Sequence, residues 1–354
     1  MTDLEKLCSR VTEAADCAVI TDDVNRRYFT AMKSSAGTLV VFPEKAYFII
    51  DFRYIEKAKK TVTACEVILQ DKLYEQINSL IEKHGAKTVS VNADTCTLSE
   101  LIAYQQKLNA EVIADTKLAE IIREIRTVKS QEQIDKIIKA QRIAEKGFAH
   151  MLDFIKVGRT EKEIQLELDY YMLKNGAEAL SFDTIALSGS NTSLPHGVPS
   201  DKKVESGEFV LMDFGATYDG WHSDMTRTVC VGKPSDKMKS VYETVLTAQL
   251  SALDAVKAGM SGKALDKIAR DIITEAGYGD YFGHSLGHGV GAEIHESPYA
   301  SPSREDILPE NSIVTVEPGI YLEGKFGVRI EDFVVVTENG CINMTKAPKE
   351  LICL

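Results

Sequence analysis

The sequence has no pair of cysteines at CxxC spacing. Its seven cysteines (Cys8, Cys17, Cys65, Cys96, Cys230, Cys341 and Cys353) are odd in number and scattered. That excludes a disulfide framework and a thiolate zinc site, and reads as small buried hydrophobes in a reducing compartment. No apolar run approaches the roughly 18 residues of a membrane-spanning helix, the longest strand-like patches being TLVVF and AYFII. The opening MTDLEKLCSR lacks the basic region and apolar stretch of a secretory signal, so a cytoplasmic protein is expected, with no membrane partner. Positive charge is in deficit, with 41 Lys and Arg against 53 Asp and Glu and a net charge of −12. Such a surface repels phosphate backbones, which argues against nucleic-acid binding. With 23 glycines and 9 prolines there is no low-complexity linker, and 44% apolar with 27% charged residues is ordinary globular composition.

The 354 residues are comfortable for two domains. Up to about residue 123, short apolar runs (CAVIT, TLVVF, AYFIID, EVIL, KTVSV) alternate with helix-period segments (LEKLCSRVTEAA, FRYIEKAKK, DKLYEQINSLIEKH, LSELIAYQQKL). This alternation predicts an α/β domain with a mostly buried sheet. Ser130 with Gln133, and Thr160 with Glu163, form capping-box patterns that start two helices, the first with an apolar face running from Ile134 to Ile155. The boundary is placed in the charged helical stretch KLAEIIREIRTVKS, giving domains 1–123 and 124–354. Beyond Ser181 the character changes. Five of the seven histidines fall there, and acidic residues interrupt apolar runs.

In FVLMDFGATYDGWHSDMTRTVCV, Asp219-Gly220 is a two-residue hairpin turn between strand-like runs. Opposed residue numbers then sum to 439, so Asp213 faces Thr226 and Asp224 faces Gly215. The two aspartates become diagonal neighbours on one face, roughly 7–8 Å apart at the backbone and able to share an ion. IVTVEPGIYLEGKFGVRIEDFVVV repeats the design, with Glu317 and Glu331 opposed across a hairpin centred near Gly324. Two hairpins, each delivering two inward carboxylates, read as a duplicated unit around one site. GHSLGHGVGAEIHESP adds His284, His288 and His295, and its glycines preclude a continuous helix, so backbone turns must aim the rings. Four clustered carboxylates cannot all stay ionised without cations. Two divalent ions balance Asp213, Asp224, Glu317 and Glu331, with neutral His288 as a fifth ligand. A carboxylate-rich set favours Mn(II) foremost, with Co(II), Fe(II) or Zn(II) as alternatives. Such a pair of ions activates water and polarises a carbonyl.

These three motifs, in this order, resemble the pita-bread metallopeptidases, and within them the Xaa-Pro aminopeptidase and Xaa-Pro dipeptidase (prolidase) branch. SFDTIALSGSNTSLPHGVPSDK is similar to that branch's segment bearing a catalytic histidine, which maps onto His196, and NRRYFTAMKSSAGTLVVF and IIDFRY resemble its amino-terminal domain. Departures are small: Trp221-His222 and Ser297 stand where other residues are common. The resemblance implies an α/β amino-terminal domain followed by an α+β pita-bread (creatinase/aminopeptidase-like) catalytic domain with duplicated helix-and-hairpin halves. It implies Glu317 as proton shuttle, and His196 and His295 as groups that stabilise the oxyanion or orient the peptide. His284 is expected to line the pocket for the residue after the cleaved bond, and Arg329 to fix Glu331 or bind a substrate carboxylate. The implied activity is that of an Xaa-Pro aminopeptidase on short peptides with proline second, the alternative being an Xaa-Pro dipeptidase. Proline justifies a dedicated enzyme because it has a fixed φ and no amide hydrogen for other peptidases to align. A methionine aminopeptidase is disfavoured by the extra amino-terminal domain and the LPHG segment. A catalytically inactive peptide-binding relative is disfavoured because all five ligands are present. The resemblance also implies a homodimer formed through the amino-terminal domain.

Overall fold

A computed structural model describes residues 1–354, which divide into two compact units, Met1–Arg126 and Thr127–Leu354. The first contains strands β1 (Cys17–Ile20), β2 (Thr38–Val41), β3 (Ala46–Ile50), β4 (Glu66–Leu69), β5 (Thr88–Val91) and β6 (Glu111–Ile113). Its helices are α1 (Asp3–Arg10), α2 (Asp23–Thr30), α3 (Ile55–Thr61), α4 (Leu73–His84), α5 (Leu98–Lys107) and α6 (Lys117–Thr127). The strands form one mixed sheet in the order β4-β3-β2-β1-β5-β6. Alternation sends Ala18, Ile20, Leu39, Val41, Phe48 and Ile50 to one face, against Leu118, Ile121 and Ile125 of α6. Val19, Val40, Tyr47, Ile49 and Val89 go to the other, against Ile77 and Leu80 of α4. The five strands read from sequence are all present. The short half-exposed β6 and the eight-residue α2 were not legible as separate elements.

The second unit opens with α7 (Gln131–Phe154) and α8 (Glu161–Lys174). Both expected capping boxes form: Ser130 and Gln133 bond reciprocally, as do Thr160 and Glu163. Then follow β7 (Ala179–Leu180), β8 (Ile185–Ser188), β9 (Glu208–Phe214), β10 (Ala216–Tyr218), β11 (Trp221–His222) and β12 (Met225–Val231). The second half repeats this plan. After α9 (Asp236–Ala255) and α10 (Gly262–Glu275) come β13 (Gly287–Gly289), β14 (Glu296–Ala300), β15 (Ile313–Val316), β16 (Gly319–Leu322), β17 (Phe326–Arg329), β18 (Asp332–Thr337) and β19 (Gly340–Asn343). Helices α7 and α8 pack on Val210, Met212, Phe214 and Val229 of the first hairpin. Helices α9 and α10 pack on Val314, Val316, Val334 and Val336 of the second. The fold is therefore an α/β amino-terminal domain followed by an α+β pita-bread domain with duplicated halves. No helix of the chain is long and apolar enough to cross a membrane.

Both hairpin registers follow the arithmetic of the sequence. Asp213 pairs with Thr226 and Tyr218 with Trp221, and the turn residues Asp219 and Gly220 both have positive φ, at 49° and 81°. That is the conformation whose twist matches the flanking strands. Val316 pairs with Asp332 and Leu322 with Phe326, so the second hairpin turns at Gly324, where φ is 66°. Each hairpin breaks midway, at Gly215, Ser223 and Asp224 in the first and at Glu317, Pro318, Ile330 and Glu331 in the second. The first break needs glycine: a Cβ on Gly215 would sit 1.9 Å from the Ser223 carbonyl oxygen. Gly215→Ala should accordingly destabilise the catalytic unit by about 3 kcal/mol, read as a lower urea midpoint. An unchanged midpoint would show that the two backbones do not approach so closely.

Candidate metal and peptide site

All nine residues singled out from sequence line one cavity of about 480 Å³: His196, Asp213, Asp224, His284, His288, His295, Glu317, Arg329 and Glu331. Two breaks and one crossing place them there. Asp213 lies near the end of β9, Asp224 occupies the first break, and Glu317 and Glu331 face each other across the second. The hairpins meet at β12, where the Glu331 amide donates to the Thr226 carbonyl at 3.1 Å and the Thr228 hydroxyl to the Arg329 carbonyl at 3.0 Å. His288 sits in the middle of β13, pressed against β15. A Cβ on Gly287 would lie 1.9 Å from the Thr315 carbonyl oxygen, and the His288 amide donates to the Thr315 hydroxyl at 3.0 Å. His295 immediately precedes β14, its ring centroid 4.3 Å from that of His288. The glycine-rich stretch therefore aims its imidazoles with short strands and turns, as the sequence required. His222 is not among the lining residues, and its ring faces Thr217.

Arg329 corrects one expectation. Its guanidinium pairs with Asp213 at 2.5 Å, not with Glu331, and donates to the Tyr321 hydroxyl at 2.8 Å, the Thr226 hydroxyl at 3.0 Å and the Pro195 carbonyl at 3.4 Å. Glu331 is held instead by the Thr226 hydroxyl at 2.8 Å. Thr226 thus joins both hairpins through one oxygen. His284 gives its Nδ1 proton to the Ser285 carbonyl, which leaves Nε2 to accept from the Tyr321 hydroxyl at 2.9 Å. Thr226, Thr315 and Tyr321 were not identified from sequence. The available signal was polar residues at inward positions of otherwise apolar strands. Arg304, whose place the sequence left open, is an exposed residue stacked 4.1 Å from the Tyr299 ring centroid and bonded to Asp306.

The electrostatics divide the carboxylates into two kinds. Burial drives Asp224 and Glu331 well above the usual carboxylate range, and neighbouring carboxylates push them further. Burial also raises Asp213, opposed by the Arg329 charge. Glu317 goes the other way: burial pushes it up, but the hydrogen bond and charge of His288 outweigh that and lower it. Burial lowers His288 in turn, yet Glu317 and Asp224 raise it to about 9. Burial lowers both His284 and His295.

The donor set fits divalent cations. Ligand atoms of Asp224, His288 and Glu331 lie within 4.8 Å of one another. His288 points Nε2 at Asp224 (3.5 Å) and Glu317 (3.3 Å) while Nδ1 is engaged with the Gly289 carbonyl at 3.0 Å. Asp213 Oδ1 and Glu331 Oε1 are buried without a hydrogen bond, a costly state that a cation relieves. His288 keeps its proton to about pH 9, above the ordinary imidazole range, and Asp224 and Glu331 are raised in the same direction, so the stability that His288 contributes without metal is lost as pH rises. The melting temperature of chelator-treated protein should therefore fall between pH about 7 and about 9, and saturating Mn(II) should raise it. A flat or rising profile without metal would contradict this charge arrangement.

Comparison with known proteins agrees with the geometry. Residues 135–338 match metallopeptidase family M24, and residues 4–128 match the creatinase/prolidase N-terminal domain. The Xaa-Pro dipeptidase of Pyrococcus furiosus is 40% identical over 352 residues, covering 99% of each chain. The solved Xaa-Pro dipeptidase from Bacillus anthracis aligns with a TM-score of 0.96 at 42% identity, covering 99% of each chain. The X-Pro aminopeptidase from Thermotoga maritima aligns with a TM-score of 0.91 at 39% identity, covering 96% of this chain and 98% of the other. With its hydrolytic unit matched along most of its length and the amino-terminal unit matched separately, the chain belongs to metallopeptidase family M24.

Proposed function

We propose that the chain hydrolyses the bond between an amino-terminal residue and proline, and acts as an Xaa-Pro dipeptidase. The observation that carries this reading is the full-length similarity to proteins named Xaa-Pro dipeptidases, combined with a buried cavity in which four carboxylates and an imidazole converge. This displaces the aminopeptidase expectation from first place. Phe182, Ile185, Pro195 and Tyr299 give the cavity an apolar wall suited to a proline ring. Asp213, Asp224, His288, Glu317 and Glu331 would hold two divalent ions, with Mn(II) favoured by the carboxylate majority. When bound, such ions lower the pKa of water and polarise the scissile carbonyl.

The chain's own groups supply the rest. Glu317 is kept ionised beside His288 and can take a proton at one oxygen and return it to the leaving nitrogen. Its Oε1 accepts from the Thr315 hydroxyl at 3.2 Å, which fixes the carboxylate plane. His295, held neutral by burial, and His196, on the exposed lip of the cavity, offer N–H donors to the developing oxyanion or to the substrate carboxylate. Arg329 serves Asp213 rather than substrate, because its Nε, Nη1 and Nη2 are all engaged. His284, tied to Tyr321, contributes a fixed wall. We extend the reading to a cytoplasmic protein, consistent with seven thiols that form no disulfide, and, on the family resemblance alone, to a homodimer.

One observation favours the aminopeptidase alternative. Arg329 is the only arginine or lysine lining the cavity, and it is committed. A site that reads a free carboxylate by ion pairing has no spare guanidinium there. Steady-state rates on Ala-Pro, Ala-Pro-Ala and Ala-Ala separate the two readings. The dipeptidase should prefer Ala-Pro over Ala-Pro-Ala by roughly 10²-fold. Comparable rates would make it an aminopeptidase, and equal cleavage of Ala-Ala would remove proline specificity from both. Glu331→Gln should lose metal and activity together. His196→Ala should keep its metal while kcat falls by roughly 10²–10³; metal loss in that variant would overturn its assignment.

A further inference from the structure

His196 is in an unusual mechanical position. Its imidazole is exposed and makes no hydrogen bond within the chain, and its neighbours Leu194 and Val198 are 54% and 83% exposed. Neither packing nor a side-chain tether aims the ring, so its place is inherited from the backbone between β8 and β9. On the ascending limb, the Thr192 hydroxyl accepts from the Gly327 amide at 2.8 Å, and the Pro195 carbonyl accepts from Arg329 at 3.4 Å. The descending limb has none of these ties to the second hairpin.

A buried carboxylate joins the two limbs, alongside the Lys202 ammonium, which donates to the Ser188 hydroxyl at 3.1 Å. Glu161, the first residue of α8, is 0% exposed. Its Oε1 accepts from the Ser188 amide (2.7 Å), the Ser188 hydroxyl (3.2 Å) and the Asn191 side-chain amide (3.0 Å), all before His196. Its Oε2 accepts from the Ser200 amide (3.0 Å) and the Ser200 hydroxyl (2.6 Å), just after His196, and again from Asn191 at 3.2 Å. The backbone amides of Glu161 and Lys162 donate to the Lys202 and Ser200 carbonyls at 3.0 and 3.1 Å, fastening the same limb to the helix. Both oxygens of this carboxylate are thus saturated by donors from the two limbs.

We infer that Glu161 is a positioning residue for peptide hydrolysis, closing the base of the loop so that His196 is presented to the substrate. The inference rests on the proposed role of His196. Glu161 touches neither substrate nor metal ligands. Its expected signature is a loss of turnover that vanishes once His196 is gone.

The test is a double-mutant cycle on the Mn(II)-loaded enzyme, with Ala-Pro hydrolysis and metal content both measured. Glu161→Gln keeps the shape but puts an NH₂ group where an acceptor stood, and should lower kcat/KM by about 10- to 100-fold at unchanged metal content. In the His196→Ala background the same change should cost less than about 3-fold, because the two residues act as one unit. Full multiplication of the two losses would overturn the inference while leaving His196 its role. A Glu161→Gln enzyme with wild-type rates, or with its metal lost, would overturn it as well. A His196→Ala enzyme with wild-type kcat would remove the role of His196 and the inference with it. Should Glu161→Gln fail to fold, Ser200→Ala enters the same cycle with the same outcomes.

Discussion

Four carboxylates in one buried cavity are the constraint to which the rest of the catalytic unit answers. Two unit charges about 5 Å apart repel by about 3 kcal/mol at an effective dielectric constant of about 20, and each pays desolvation besides. The chain answers with three devices. Arg329 is committed to Asp213, His288 is committed to Glu317, and Asp224 and Glu331 are left to protons or cations. The third device is what fits the cavity for cations, unlike an ordinary buried ion network.

Holding such a site requires precision from strands that belong to different halves of the fold. Each hairpin is regular at both ends and broken in the middle, and the four carboxylates sit at or beside the breaks. The breaks are registered to each other through Thr226, whose hydroxyl serves Arg329 and Glu331 while its carbonyl receives the Glu331 amide. Behind Glu331, Arg227 and Asp332 form an ion pair at 2.7 Å with both side chains at most 1% exposed. Arg227 also donates to the Ala347 and Pro348 carbonyls. Glu331 is thus backed by a second, structural charge cluster that leaves it little freedom to retreat.

The parts of this arrangement legible in the sequence were those set by short-range rules. An Asp-Gly turn fixes a register, and an even separation across a hairpin fixes which carboxylates face one another, so the pairing of Asp213 with Thr226 follows from residue numbers alone. Capping boxes announced α7 and α8. What escaped was set by contacts between residues well separated in sequence. Arg329 lies two positions from Glu331 on one chain, which suggests a shared partner. Its actual partner, Asp213, arrives from the other hairpin, 116 positions away. Tyr321, Thr226 and Glu161 were hidden for a related reason: nothing within a few residues of them declares what they will touch.

The division of the proposed ligands between the two halves bears on when chemistry can begin. Asp213 and Asp224 belong to one half, and His288, Glu317 and Glu331 to the other. Neither half holds a complete donor set. Hydrolytic competence therefore behaves as a logical conjunction, true only when both halves have folded and docked. A chain in which the two halves have not docked lacks part of the donor set, however well either half is folded.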